Sequence, residues 1–210
     1  MSWRAGIAAL ALIATSGHAA PVRFALDAAR TVASFEVDAG VSTMEGRLTR
    51  SAGEVLLDRE AGEGQVTVRI EANSLDFGWG LLNEVARGPT AFDTARFPLV
   101  SYQGRLANFV DGAPTAVEGE LQMHGVTQPL SLAIQSFQCR PDAVLQREAC
   151  SASALGQLKR DEFGIDIGKD LGMGMAVTLR IQIVALALPA PAPVSAEPAA
   201  SSPSADGVPQ

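Results

Sequence analysis

The sequence predicts an all-β domain whose antiparallel strands close on themselves or fold into a sandwich, interrupted by one short helical insert. Two alternating runs and one break in rhythm support this. Val66, Val68, Ile70 and Ala72 share a face, with Thr67, Arg69 and Glu71 opposite. Val177, Leu179, Ile181 and Ile183 repeat the pattern against Thr178, Arg180 and Gln182. Period-two alternation marks half-buried antiparallel strands, with one dry face and one wet. Dry faces that can meet only one another require a closed or doubled sheet.

The elements follow in order. Val22 to Ala28 and Thr31 to Val37 flank a short turn, with Ala33, Phe35 and Val37 on one face and Ser34 and Glu36 on the other. Val41 to Leu48 and Gly53 to Asp58 are more weakly patterned, and Gly62 and Gly64 mark a turn before Gln65 to Ala72. Beyond Leu75 the alternation stops. Leu81, Leu82 and Val85 have the i, i+1, i+4 spacing of a short helix, ended near Gly88-Pro89. Strands resume over Leu99 to Leu106, Ala116 to Met123, Gln128 to Ser136, Ser151 to Lys159 and Met175 to Leu186. Gly125 predicts a hairpin turn, and Pro129 then starts a strand, where its missing N–H matters least.

The chain has 210 residues, and its two ends stand apart from the domain at 20–188. Residues 1–19 read as a cleaved secretory signal: Arg4 supplies the positive start, Ala5 to Ala14 a short apolar core, and Gly17-His18-Ala19 a small-residue cleavage site. That core falls short of the about 20 residues that span a bilayer, so stable membrane insertion is not expected. Residues 189–210 are rich in Pro, Ala and Ser and read as a disordered tail.

The formal net charge of −7 becomes −8 once Arg4 leaves with the signal. Nucleic acid needs concentrated Lys and Arg, and this chain offers none. Its nearest basic cluster, Lys159, Arg160 and Lys169, is neutralised by Asp161, Glu162, Asp166 and Asp170. The two cysteines, Cys139 and Cys150, follow a secretory signal and predict a disulfide across the polar segment between them.

Three stretches resemble the YceI-like, or polyisoprenoid-binding, family. They are Ala91-Phe92-Asp93-Thr94-Ala95-Arg96-Phe97-Pro98-Leu99-Val100-Ser101-Tyr102, Gly119-Glu120-Leu121-Gln122-Met123-His124-Gly125-Val126-Thr127-Gln128-Pro129-Leu130-Ser131-Leu132, and Leu158-Lys159-Arg160-Asp161-Glu162-Phe163-Gly164-Ile165. With the closing strand around Val177-Thr178-Leu179, the likeness spans roughly 24–186. It implies a single antiparallel lipocalin-like β-barrel, often periplasmic, that sequesters an isoprenoid quinone or polyprenyl phosphate. The chain departs from the commoner pattern before Ala91-Phe92-Asp93. There Leu81-Leu82-Asn83-Glu84-Val85-Ala86-Arg87 stands where many members carry an Arg-Asp pair and a His.

The inventory for catalysis is thin. With His18 in the signal, His124 is the remaining histidine, and it falls in a predicted turn. A histidine-rich metal site within one chain is therefore excluded, and oxidised cysteines supply no thiolate. No catalytic residue, metal or cofactor is expected; the bound isoprenoid is ligand rather than cofactor. Arg160 and Asp161 read as a strand-end hydrogen-bond or ion-pair device.

Alternation assigns the lining of the bore to Phe35, Val37, Val68, Ile70, Val100, Tyr102, Leu121, Leu132, Leu179 and Ile181, and its mouth to Trp79, Leu82, Val85, Phe92 and Phe97. Small positions such as Ala33, Ala72, Gly119 and Ala154 are expected to leave room. The scarcity of basic residues favours a neutral headgroup. The expected protein is a periplasmic monomer or homodimer that carries a polyisoprenoid. Two rivals stay open: an enzyme acting on a bound lipid, which needs His124 or a carboxylate facing the cavity, and a filled-core interaction module.

Overall fold

A computed structural model describes residues 20–40 and 42–189, so the expected signal (1–19) and all but the first residue of the expected tail lie outside the described residues. The strands are β1 (Val22–Leu26), β2 (Val32–Asp38), β3 (Thr43–Leu48), β4 (Ser51–Asp58), β5 (Glu63–Glu71), β6 (Leu75–Asp76), β7 (Leu99–Ala107), β8 (Ala116–Met123), β9 (Val126–Pro141), β10 (Glu148–Lys159) and β11 (Ala176–Ala187). One α-helix, α1 (Gly80–Arg87), follows β6.

All pair antiparallel in one sheet ordered β1-β4-β5-β7-β8-β9-β10-β11-β2-β3-β6, and β1 also pairs with β11. The first part of β11 holds β2, from Val177↔Val37 to Gln182↔Val32, and its last residues hold β1, from Ala185↔Leu26 to Ala187↔Phe24. β1 and β2 are therefore two halves of one stave, broken by the turn between Leu26 and Val32. β3 and β4 are halves of the next, broken at Thr49 and Arg50. β5 and β6 are halves of a third, broken by a 3₁₀ turn at Ala72–Ser74. Counted as staves, the sheet is a closed barrel of eight.

The expected strand order is observed, with three differences. β6 is two residues long, too short to show a period. Ala72 sits in the 3₁₀ turn rather than ending a strand. β9 runs sixteen residues, on to Pro141 rather than ending at Ser136, and the alternation that marks it is interrupted where the register with β10 shifts between Ser153 and Ala154. Such a bulge bends the strand and sharpens its twist, which a closing sheet requires.

Gly119 opposes Gly104 across β7 and β8. A Cβ on Gly119 would lie 2.2 Å from the Gln103 carbonyl oxygen, so the position serves a close approach of backbones and leaves no room in the bore. His124 and Gly125 both adopt positive φ, 53° and 78°, the geometry of a two-residue hairpin turn.

α1 is held at its start by one carboxylate. Asp76 accepts from the Gly78 backbone N–H (2.9 Å), Asn83 Nδ2 (3.0 Å) and the Arg47 guanidinium (2.8 Å), while Asn83 Oδ1 accepts from the Phe77 N–H. Leu82, Val85 and Ala86 then fall on one helix face by their three- and four-residue spacing. That face turns to the barrel end formed by Phe35, Val37, Leu75 and Val177.

Cys139 and Cys150 are direct cross-strand partners and form the expected disulfide near the opposite end of the barrel. The turn they enclose is shorter than their spacing suggests, since β9 continues to Pro141 and β10 resumes at Glu148. The bridge closes a loop with a sequence separation of 11. Its reduction should lower the free energy of unfolding by about 3 kcal/mol on the loop-entropy relation. Urea denaturation with and without reductant measures this, and an unchanged midpoint would contradict it.

Candidate functional site

The inward side chains do not fill the bore. They enclose an apolar cavity of about 530 Å³, within the roughly 300–1,000 Å³ typical of ligand pockets. Every stave contributes to its wall, and α1 and the segment between β10 and β11 contribute at one end.

Of the residues assigned from alternation, Phe35, Val37, Val68, Ile70, Val100, Tyr102, Leu121, Leu132, Leu179 and Ile181 all lie on this wall. So do Leu82, Val85 and Phe92 from the helical segment, and the small residues Ala33 and Ala154. Ala72 and Gly119 do not, which corrects that expectation.

The structure places Trp79 and Phe97 away from the wall. Trp79 precedes α1 with extended backbone (φ −133°, ψ 117°), so it escapes the helical face of Leu82 and Val85 and is 62% exposed. Phe97 packs on the hairpin turn of β8 and β9. Its ring centroid is 4.4 Å from that of His124, and it fills the space where a Cβ on Gly125 would stand.

Several wall residues carried no sequence signal. Phe77, Ile165, Ile167 and Met173 come from loops and Leu171 from a short 3₁₀ turn, where no period assigns a face. Phe77 meets Phe35 edge to face at 5.5 Å. The Phe35 ring lies over Gly46, where a Cβ would approach Cζ to 2.4 Å, so the glycine makes space for a wall aromatic.

The polar groups at the cavity are few, and almost all are satisfied by backbone. Ser34 Oγ donates to the Arg180 carbonyl (3.2 Å) and Thr31 Oγ1 to that of Val184 (3.3 Å). Tyr102 Oη donates to the Leu130 carbonyl at 3.1 Å. Burial, with the Glu118 charge in support, pushes the Tyr102 pKa up to about 12, so the phenol stays neutral.

Arg160 is the one charged residue on the wall among the described residues. Sequence grouped it with a surface patch, yet it is buried, with 7% exposure. It lies in a 3₁₀ turn (Arg160–Phe163) whose end is set by Gly164 at φ 73°. Nε donates to the Gly174 carbonyl (3.1 Å), and Nη1 to those of Ile167 (2.7 Å) and Ile165 (3.4 Å). Burial lowers its pKa from the ordinary arginine value, partly offset by Asp161 and Asp166. Asp161 does not pair with Arg160; it binds Lys169 at 2.9 Å.

No histidine or carboxylate lies on the wall among the described residues. His124 Nδ1 stands 2.9 Å from the Phe163 carbonyl oxygen, which can only accept, so this nitrogen holds the proton. The ligand atoms of Cys139, Glu148 and Cys150 lie within 4.8 Å of one another, but both sulfurs are committed to the disulfide.

The profile of the YceI-like domain family matches residues 24–185. Among solved structures, BcnA of Burkholderia cenocepacia is similar, with 18% identity over 76% of this chain and 98% of its own, at a TM-score of 0.62. A polyisoprenoid binding domain from Saccharophagus degradans, implicated in plant cell wall breakdown, matches with 17% identity over 80% and 99%, at 0.56. The Campylobacter jejuni YceI protein matches with 17% identity over 69% and 85%, at 0.58. At this identity the solved structures speak for the fold. No curated protein sequence matches.

Asp76 links the site to pH. Its contacts with Asn83, Gly78 and Arg47 lower its pKa from 3.8 to about 2 in the folded chain. A depressed carboxylate contributes stability above its unfolded pKa, and that contribution fades as pH falls towards the folded value. Stability should therefore drop between about pH 4 and pH 2. In Asp76→Asn the drop over that window should be shallower. Denaturant titrations at stepped pH measure it, and parallel curves would rule out the role given to Asp76.

Proposed function

The chain belongs to the YceI-like family, and from that premise we propose that it is a binding protein that encloses the tail of a polyisoprenoid lipid, an isoprenoid quinone or polyprenyl phosphate, in its barrel. The reading places it in the periplasm, reached through the N-terminal signal, and assigns it carriage without a reaction. The observation that carries this reading is the apolar cavity of about 530 Å³.

Void volume left in a core forfeits packing at ~24 cal/mol per Å³. A cavity of this size left empty forgoes on the order of 10 kcal/mol, comparable with the whole stability of an ordinary domain. An apolar tail restores those contacts and needs almost no directional chemistry. Each few hundred Å² of its surface removed from water contributes several kcal/mol, at ~25 cal/mol per Å², before ordering is subtracted. The wall supplies what such a tail requires, which is aliphatic and aromatic side chains with hydroxyls turned to backbone carbonyls. The saturated disulfide agrees with an oxidising compartment.

The enzyme reading asks for an acid, base or nucleophile facing the cavity, and His124 is committed instead to the Phe163 carbonyl on the hairpin turn. The filled-core reading asks for a packed bore, which the cavity does not offer.

Native mass spectrometry of protein isolated gently from its own host should show an adduct that solvent extraction identifies as isoprenoid. Repeated preparations without any adduct would defeat the carrier reading. Ala33 and Ala154 both line the cavity. The double variant Ala33→Phe, Ala154→Phe should fill it, retaining strand content by circular dichroism while losing most bound lipid; unchanged loading would place the ligand elsewhere.

A further inference from the structure

Arg160 is a buried cation, 7% exposed, with no direct ion-pair partner among the described residues, and Asp161 and Asp166 act on it only at a distance. Three neutral carbonyls occupy Nε and Nη1, which fixes the guanidinium plane, while Asp161 and Asp166 compensate only part of the cost of burying the charge. The remaining nitrogen, Nη2, is buried and has no hydrogen-bond partner. An unpaired buried charge is one of the most unfavourable features a core can hold, and native structures retain one where something binds it.

Position gives the charge a use. Arg160 stands on the cavity wall beside Leu158, Ile165, Ile167 and Met173, at the end that α1 faces. The other arginine with a buried, unbonded nitrogen, Arg87, is not on this wall, and its Nη2 donates to the Leu75 carbonyl. Among the described residues the apolar interior thus presents a single charged group, held by carbonyls from the Arg160–Gly174 segment. A guanidinium edge with free N–H groups in a dry site matches an oxyanion, and hydrogen bonds between ionised partners there are roughly twice as strong as neutral ones.

We propose that Arg160 is the headgroup anchor of the cavity, and that the lipid it selects carries an oxyanion, phosphate or carboxylate, at the end of its apolar tail. This rests on the carrier reading and reverses the neutral headgroup expected from composition. Composition counts exposed and buried cations alike, whereas one cation in a low-dielectric wall outweighs many in water.

The test uses two probes with the same tail, farnesyl phosphate and farnesol, and inorganic phosphate alone, titrated into the delipidated full chain by calorimetry. Farnesyl phosphate should bind about tenfold or more tighter than farnesol. In Arg160→Gln the ratio of the two affinities should shrink to within about twofold, and Arg160→Lys should keep part of it. In the wild-type chain, which needs no substitution to fold, the Arg160 Nε–H resonance should shift with farnesyl phosphate and stay in place with farnesol. Equal binding of the two probes, or an unmoved resonance, overturns the anchor and leaves the carrier reading intact. Failure of both probes to bind brings down the carrier reading itself. Inorganic phosphate binding as tightly as farnesyl phosphate would make this a free-anion site and overturn the lipid assignment.

Discussion

The pairing of β11 with both β1 and β2 is the constraint on which the molecule turns. Phe24↔Ala187 and Leu26↔Ala185 join the first stave to the last at one end, and Val37↔Val177 joins them at the other. Once that seam is made, every alternating strand must send one set of side chains into a common interior and the other into water. Closure also sets the diameter, because eight staves enclose a bore only just wide enough for side chains to fill. Whether it fills depends on the size of the inward residues. Ala33 and Ala154 are among the small residues that line the unfilled space.

The three broken staves explain why one end of this barrel differs from the other. Where β5 gives way to β6 through the Ala72–Ser74 turn, the chain leaves the sheet and places α1 before returning as β7. Asp76 sits at that exit and gathers Arg47, Gly78 and Asn83, so one carboxylate fixes both a strand junction and a helix start. The helix presents Leu82, Val85 and Ala86 to the cavity. The segment after β10 meets the same end with Ile165, Ile167 and Met173, bound together by the Arg160 guanidinium. The disulfided hairpin at the opposite end adds covalent restraint where the strands extend furthest past their neighbours.

Within the strands, face was legible because period two leaves little choice. Val68 and Ile70, Leu179 and Ile181, and Val100 and Tyr102 could each be assigned inward from their neighbours, and each lines the cavity. Where periodicity lapsed, legibility lapsed too. Trp79 shares the helical spacing of Leu82 yet sits one residue before the helix in extended backbone, so it turns outward. Phe97 looked like a mouth residue and instead braces the turn at His124 and Gly125. Arg160 looked like part of a neutralised surface patch, since its neighbours Lys159, Asp161 and Glu162 are charged, and only its 3₁₀ turn swings it inward.

By itself the sequence determined the all-β class, the order of the long strands, the helix between β6 and β7, the paired cysteines and the inward face of most strands. Each of these is set by local period, turn chemistry or residue type. The tertiary structure alone decided that three staves are broken, that the bore is hollow, that Gly104 and Gly119 serve backbone approach, and that Arg160 is buried with no direct ion pair. Those features arise from contacts between segments far apart in the chain, where volume and charge must be balanced in three dimensions and no local pattern records the sum.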